Sequence, residues 1–255
     1  MENSASLKYV HEESTHNIQS PGRIVPFIVE IFSPKSIIDV GCGIGTFLYE
    51  FKKHGVKEVL GLDGKWVNKN KLLIANDEFI ETNLEQPIQM VKKYDFVLCL
   101  EVAEHISEKS ADVLVNSLIG LGKVIAFSAA IKKQGGQNHI NEQPFSYWKE
   151  KFEKKGYYVI DLFRPLFWND EKIQWWYKQN MYLLVHNSID KNILQIENKY
   201  FSENDLIIHP ELYYERMKEY ENKCLELKKI RTGLGGNLNF YFGLLFKKLV
   251  SKFRN

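Results

Sequence analysis

The chain has 255 residues, 44 % of them hydrophobic and 26 % charged, enough to bury a core without disulfides or a structural metal. Its 34 Lys and Arg against 32 Asp and Glu leave a net charge of +2, with no basic field of the kind bulk nucleic-acid binding uses. Three widely spaced cysteines (Cys42, Cys99, Cys224) exclude a disulfide framework and a cysteine-only zinc knuckle.

The first residues, Met1-Glu2-Asn3-Ser4, lack a basic-then-apolar signal pattern, and no apolar run approaches ~18 residues. A cytoplasmic protein with no stable membrane insertion is expected. An apolar helical stretch, Arg23 to Phe32, is stopped by Ser33-Pro34, because the residue before proline is pushed out of the helical region. Residues 36–40 then read as a strand, 45–54 as a helix, 58–63 as a second strand and 78–81 as a short third. Residues 94–100 and 123–128 read as the fourth and fifth strands. Short continuous apolar strands separated by helices predict an α/β fold with a mostly parallel sheet covered on both faces. Residues 156–161 and 181–186 add two strands, expected as an antiparallel edge pair. Residues 211–230 read as one charged helix closed by Gly233, Gly235 and Gly236, and residues 240–253 as an amphipathic stretch. The predicted organisation is an N-terminal helical segment over 1–34, a sheet domain over 35–190 and a C-terminal helical appendage over 191–255.

The run Asp39-Val40-Gly41-Cys42-Gly43-Ile44-Gly45 falls where the first strand turns into the first sheet helix. Glycines there let the backbone approach a ligand, and the helix start offers unpaired amides. A dinucleotide fingerprint would need glycine at position 46, which is Thr, so a nicotinamide dehydrogenase is disfavoured. The preceding acid, Asp39, would repel a pyrophosphate but can hold the ammonium of an amino-acid moiety. The second strand ends in Asp63, whose carboxylate can accept two ribose hydroxyls.

This order of strand, acid, three glycines, helix, strand and acid resembles the class I S-adenosylmethionine-dependent methyltransferases, over roughly residues 37–186. The resemblance implies their Rossmann-like fold. It implies that Gly41, Gly43 and Gly45 wrap the methionine end of S-adenosylmethionine, beside Asp39, and that Asp63 takes the ribose. Asn83 and Leu84 fall where the family contacts adenine, with Asn83 standing where Asp is usual. Leu100, Glu101 and Val102 fall where it lines the methionine portion.

Glu101-Val102-Ala103-Glu104-His105 leaves the carboxyl end of the fourth strand, where open α/β sheets place their sites. Continued as a helix, it would put Glu101, Glu104 and His105 on one face. The polar run from Gly135 to Pro144 can bring His139 to the same rim. Three readings stay open. Glu101, Glu104, His105 and His139 can ligate a divalent ion such as Mn²⁺ or Mg²⁺; His105 or His139 can act as a metal-free base; or the acids can be a solvated helix start. E-x-x-E-H with a later His is similar to the pattern of metal-assisted O-methyltransferases, among them the RNA 3′-terminal 2′-O-methyltransferases. The resemblance then implies catalytic roles for Glu104, His105 and His139.

The loop from His139 to Gln143, with Tyr147-Trp148 after it, resembles methyltransferases of bacterial surface-glycan or capsule biosynthesis, including the O-methyl phosphoramidate type. That implies a small polar or phosphorylated acceptor; the near-neutral charge and absence of a basic stripe lead to no expected nucleic acid. An RNA ribose methyltransferase and a non-catalytic cofactor-binding partner are the alternatives. Trp168, Trp175 and Trp176 can form a substrate lid or core, and His11 and His16 can fold over the cofactor or lie in a surface tail. Residues 240–253 can pack on the domain, on a second subunit of a homodimer, or on a membrane surface.

Overall fold

The computed structural model describes residues 17–189 and 207–233. His11, His16, Gly235, Gly236 and residues 240–253 lie outside the described residues. The chain divides into two compact units, residues 1–209 and 210–255.

The first unit is built on seven strands: β1 (Ser36–Val40), β2 (Glu58–Asp63), β3 (Phe79–Glu81), β4 (Phe96–Leu100), β5 (Val124–Ser128), β6 (Tyr157–Ile160) and β7 (Tyr182–His186). They form one sheet in the order β3-β2-β1-β4-β5-β7-β6. Strands β1 to β5 pair in parallel, whereas β7 is antiparallel to both β5 and β6. The expected edge pair is therefore a single reversed strand inserted between two strands of the common direction.

Alternation along the central strands sends side chains to two cores. Phe96 and Leu98 of β4 join Val124 and Ala126 of β5 in the first. The helices α1 (Pro21–Phe32) and α2 (Thr46–Lys53) cover it with Ile24, Val25, Ile28, Phe47, Leu48 and Phe51. Helix α1 thus contributes to the sheet's own core. It ends at Ser33, which adopts a left-handed conformation (φ 42°) before Pro34. The helices α5 (Phe163–Phe167) and α6 (Trp175–Asn180) lie between β6 and β7 in the chain, and Phe163 of α5 belongs to the same core. Val97 and Cys99 of β4, with Ile125 and Phe127 of β5, face the second core. The helices α3 (Ala111–Leu121) and α4 (Phe145–Glu153) cover it with Leu114, Leu118, Trp148 and Phe152. The second unit contains α7 (Pro210–Gly233).

Candidate active site

The parallel strands direct their carboxyl ends to one edge of the sheet, and the loops after β1, β2, β4 and β5 carry the candidate residues. Gly41, Gly43 and Gly45 all have positive φ (86°, 54° and 84°). Gly41 shows why side chains are excluded: a Cβ there would stand 2.2 Å from Cγ2 of Val102, on the loop after β4. Val102 thus packs beneath the glycine turn, with Leu100 buried beside it. The Gly41 amide donates to the Leu62 carbonyl, and the Gly43 and Gly64 amides donate to the two Asp63 carboxylate oxygens at 2.7 and 2.6 Å. Asp63 therefore shapes the glycine loop. Asp39 is 4 % exposed; burial, and secondly the charge of Asp63, push its carboxyl up to about 7. Leu84 is buried and Asn83 exposed, with the Asn83 side-chain oxygen accepting from the Glu85 amide in an Asx turn.

After β4 the chain departs from the expected helix. Glu101 is left-handed (φ 55°), and only Ala103–His105 form a short 3₁₀ turn. The physical reason is that two residues of this segment, Ala103 and Glu104, are completely buried; a helix begun at Glu101 would present them differently. Glu101 is held by its surroundings: its amide donates to the Ser128 carbonyl and hydroxyl. Its carboxylate accepts from Asn180 (3.1 and 3.2 Å) and from Gln134 (3.4 Å). Gln179 completes this buried amide group by donating to Gln134 and Asn180. Burial pushes the Glu101 carboxyl up to about 7, against the lowering effect of these donors.

Glu104 is fully buried, and neither carboxylate oxygen has a hydrogen-bond partner. Burial, and then the charge of Glu101, drive its carboxyl far above the ordinary carboxylate range. The Glu104 carbonyl accepts from the Ile140 and Asn141 amides (2.9 and 3.0 Å), which moors the loop after β5 to the turn. That mooring brings His139 over: its Nε2 lies 3.9 Å from Glu104 Oε1, and its ring stands edge-on to His105, centroids 4.9 Å apart. One ligand atom from each of Glu104, His105 and His139 falls within 4.8 Å of the others.

Both imidazoles have oriented outer partners. His105 Nδ1 meets the Asn138 carbonyl at 3.3 Å and His139 Nδ1 meets Glu142 Oε1 at 2.9 Å. A carbonyl and a carboxylate only accept, so Nδ1 donates in each ring, and in a neutral ring Nε2 is the atom able to ligate. Glu142 is fixed in turn by the Lys133 and Gly135 amides. The His139 ring lies directly on Gly136 (φ 154°), where a Cβ would come within 2.4 Å of it. The amides of Glu104 and Ala130 lie close enough to ease its ionisation without forming well-aligned hydrogen bonds, so the buried carboxyl needs a proton, which Glu101 beside it can share, or a cation.

Three of the four expected ligands therefore converge, while the Glu101 carboxylate is engaged by Asn180 and Gln134. The sequence reading missed Gly136, Glu142, Gln134, Gln179 and Asn180. A polar Gln-Asn pair immediately before a fully apolar strand was the available signal for the last two. Of the tryptophans weighed as lid or core, Trp175 is buried, and Trp168 and Trp176 are half-buried.

A family profile described as a methyltransferase domain matches residues 15–187, more than half of the chain. The chain belongs to this methyltransferase family. The family and the sheet make it an S-adenosylmethionine-dependent enzyme of the class I, Rossmann-like fold. Among solved structures it is similar to the methyltransferase domain of a bacterial Hen1 (CtHen1-C), at 20 % identity and TM-score 0.50, covering 67 % of this chain and 99 % of that one. It is also similar to magnesium protoporphyrin IX methyltransferase ChlM from Synechocystis PCC 6803, at 15 % identity and TM-score 0.48, over 66 % of this chain and 83 % of that one. The small RNA methyltransferase HEN1 matches at 14 % identity and TM-score 0.47, over 64 % of this chain and 25 % of that one. These likenesses are of fold. A search of curated proteins returns no significant match.

Proposed function

We propose that this methyltransferase acts on an oxygen, assisted by a divalent ion held by Glu104, His105 and His139. The observation that carries the reading is the Glu104 carboxyl, fully buried with no well-formed hydrogen bond, in one cluster with two imidazoles whose Nδ1 atoms face outer acceptors. The donor set of one carboxylate oxygen and two imidazole nitrogens suits Mn²⁺ better than the harder Mg²⁺, and would also accept Zn²⁺ or Fe²⁺. When bound, the ion supplies positive charge to the acceptor oxygen and, for a hydroxyl, eases loss of its proton.

Methyl transfer from a sulfonium is an in-line displacement, so the protein's main task is to align donor and acceptor. Asp39 holds the cofactor's ammonium, the glycine loop its methionine end and Asp63 its ribose. Leu100 and Val102 form the apolar floor between that loop and the β4 turn. Glu142 and Asn138 keep His139 and His105 in the tautomer that presents Nε2. Glu101, fixed by Asn180 and Gln134, sets the start of the 3₁₀ turn that carries Glu104.

The acceptor we favour is a small polar molecule, a phosphoryl or phosphoramidate oxygen or a sugar hydroxyl of bacterial surface-glycan or capsule biosynthesis. The hard oxygen of such a group suits a hard cation, and the run from His139 to Gln143 supports the choice. Three free cysteines fit a cytoplasmic place of work. Charge balance alone does not remove nucleic acid, since the similar folds include a small RNA methyltransferase, so RNA belongs among the acceptors to be assayed. A second reading rests on the His139–Glu142 contact: the pair resembles an oriented general base, which would act without a metal.

S-adenosylhomocysteine release, followed with sugar, phosphorylated, phosphoramidate and 3′-terminal RNA acceptors, tests both readings. Turnover should stop on chelation and return with Mn²⁺ or Mg²⁺. Full activity after chelation, lost in His139→Ala, would establish the metal-free base instead.

A further inference from the structure

Among the described residues of the first unit, Trp66 is the only exposed aromatic side chain, open to 40 %, and it stands three residues after Asp63. The turn that carries it is closed by the Val67 amide, which donates to the Gly64 carbonyl (3.2 Å), and is seated by the buried Val67 side chain. The Gly64 amide donates to Asp63 Oδ1 at 2.6 Å, so the turn is tied to the acid itself. Gly64 lacks the positive φ of the glycines in the β1 loop, and its backbone would suit any residue. What excludes a side chain there is the indole. A Cβ on Gly64 would come within 2.5 Å of three adjoining ring carbons, Cη2, Cζ2 and Cζ3, all at nearly the same distance. A Cβ meeting a ring at its edge reaches one carbon well before the neighbours, so the flat of the indole lies on Gly64. One face of the ring covers buried backbone, and the exposure belongs to the other side. An indole pressed flat on backbone with its far face open is a platform for a second flat ring.

We infer that the open face of Trp66 stacks on the adenine of S-adenosylmethionine. The inference rests on the ribose role of Asp63 in the proposed function. Adenine is joined to the ribose by a single bond, so a base whose ribose meets Asp63 lies beside the turn that begins at Gly64. Strand β3 pairs with β2 so that Glu81 stands opposite Asp63, and the Thr82 amide donates to the Asp63 carbonyl at 2.7 Å. The turn bearing Trp66 and the turn bearing Asn83 and Leu84 therefore leave the sheet side by side. A flat ring of the acceptor is the other conceivable occupant, and the topology keeps it away. Glu104 and His139 follow β4 and β5, and β1 lies between β2 and β4, so two strand spacings, about 10 Å, separate the ends of β2 and β4. Stacking needs only a π-face, so Trp66 adds affinity for a purine without reading its hydrogen-bonding edge. That edge is left to the loop after β3.

Calorimetry of the full chain with S-adenosylhomocysteine tests the inference. Trp66→Ala should weaken binding by about 5- to 100-fold, the scale of base stacking on an aromatic side chain. Trp66→Phe keeps a flat ring and should stay within about threefold of the native chain. Trp66→Leu, apolar but without a flat face, should lose as much as Trp66→Ala. The native indole emission should be quenched by the ligand, and Trp66→Phe should bind it with most of that quench gone. Trp66 is exposed, so an unchanged unfolding midpoint should report that each variant is folded. Native affinity in Trp66→Ala, equal binding by Trp66→Leu and Trp66→Phe, or a full quench in Trp66→Phe would overturn the platform. Asp63→Ala without effect on the same ligand would instead remove the ribose role on which the inference rests.

Discussion

At the scale of the residue, the chemistry is governed by acids taken out of water. Asp39 is ionised far less readily in the folded chain than in an unfolded one, about 7 against 3.8. A raised carboxyl pKa means that the folded state binds the proton more tightly. Its contribution to stability is therefore complete below about pH 4 and is lost as pH rises through about 7. An ammonium placed against Asp39 favours the ionised form, so ligand affinity should run the other way. From about pH 6 to about pH 8 a group of this pKa goes from roughly one-tenth to nine-tenths ionised, and S-adenosylhomocysteine should bind up to about tenfold more tightly at the higher pH. Calorimetry at the two pH values checks this, and Asp39→Asn should flatten the dependence; an affinity already flat in the native protein would remove Asp39 from the ammonium role. Asp63→Ala should weaken the same ligand by on the order of 1.5–3 kcal/mol, the scale of hydrogen bonds to a charged group. Some of that loss will come through the loop, since the Gly43 and Gly64 amides lose their acceptor. Glu142→Gln keeps the size of the side chain but removes the charge that fixes His139. It should lower Mn²⁺ affinity by about 10–100-fold, the usual cost of an outer partner, with S-adenosylhomocysteine binding unchanged. Titrations with each ligand separate the two effects.

At the scale of the element, what the sequence made legible was the two-faced sheet. Residues 36–40 and 96–100 are buried throughout, so apolar side chains occupy both parities and the run reads as a strand without helical spacing. The reversed direction of β7 was less legible, because parallel and antiparallel buried strands carry the same apolar run. The Asp39 to Gly45 loop was legible through its spacing, and the convergence of Glu104, His105 and His139 through position along the chain. Glu101 was misread because its left-handed backbone is imposed by groups remote in sequence: Asn180 lies 79 positions away and Gln134 33. Tyr147 and Trp148, which follow the loop that resembles surface-glycan methyltransferases, lie on α4, where Trp148 is wholly buried against Phe127, with ring centroids 5.5 Å apart. Trp148→Ala should therefore cost about 3–5 kcal/mol, the range for removing a large buried aromatic side chain. Denaturant unfolding measures it, and a change below about 1 kcal/mol would mark a surface residue instead.

At the scale of the whole molecule, the sheet brings two features to one edge: a glycine loop after β1, which in the proposed function takes the donor, and a buried carboxylate with two imidazoles after β4 and β5, which takes the acceptor. Among the described residues no helix is long and apolar enough to cross a membrane. The account stands or falls on whether Glu104 is answered by a cation. Titration of the full chain with Mn²⁺ by calorimetry, in two buffers of different ionisation enthalpy, is the most direct measurement and needs no knowledge of the acceptor. One ion should bind per chain, with release of protons, because burial raises the hold of the Glu104 carboxyl on its proton and a metal competes with it. Glu104→Gln should abolish that binding while S-adenosylhomocysteine still binds. Native protein that takes up no Mn²⁺, or a Glu104→Gln variant that takes it up as well as the native chain, would contradict the account.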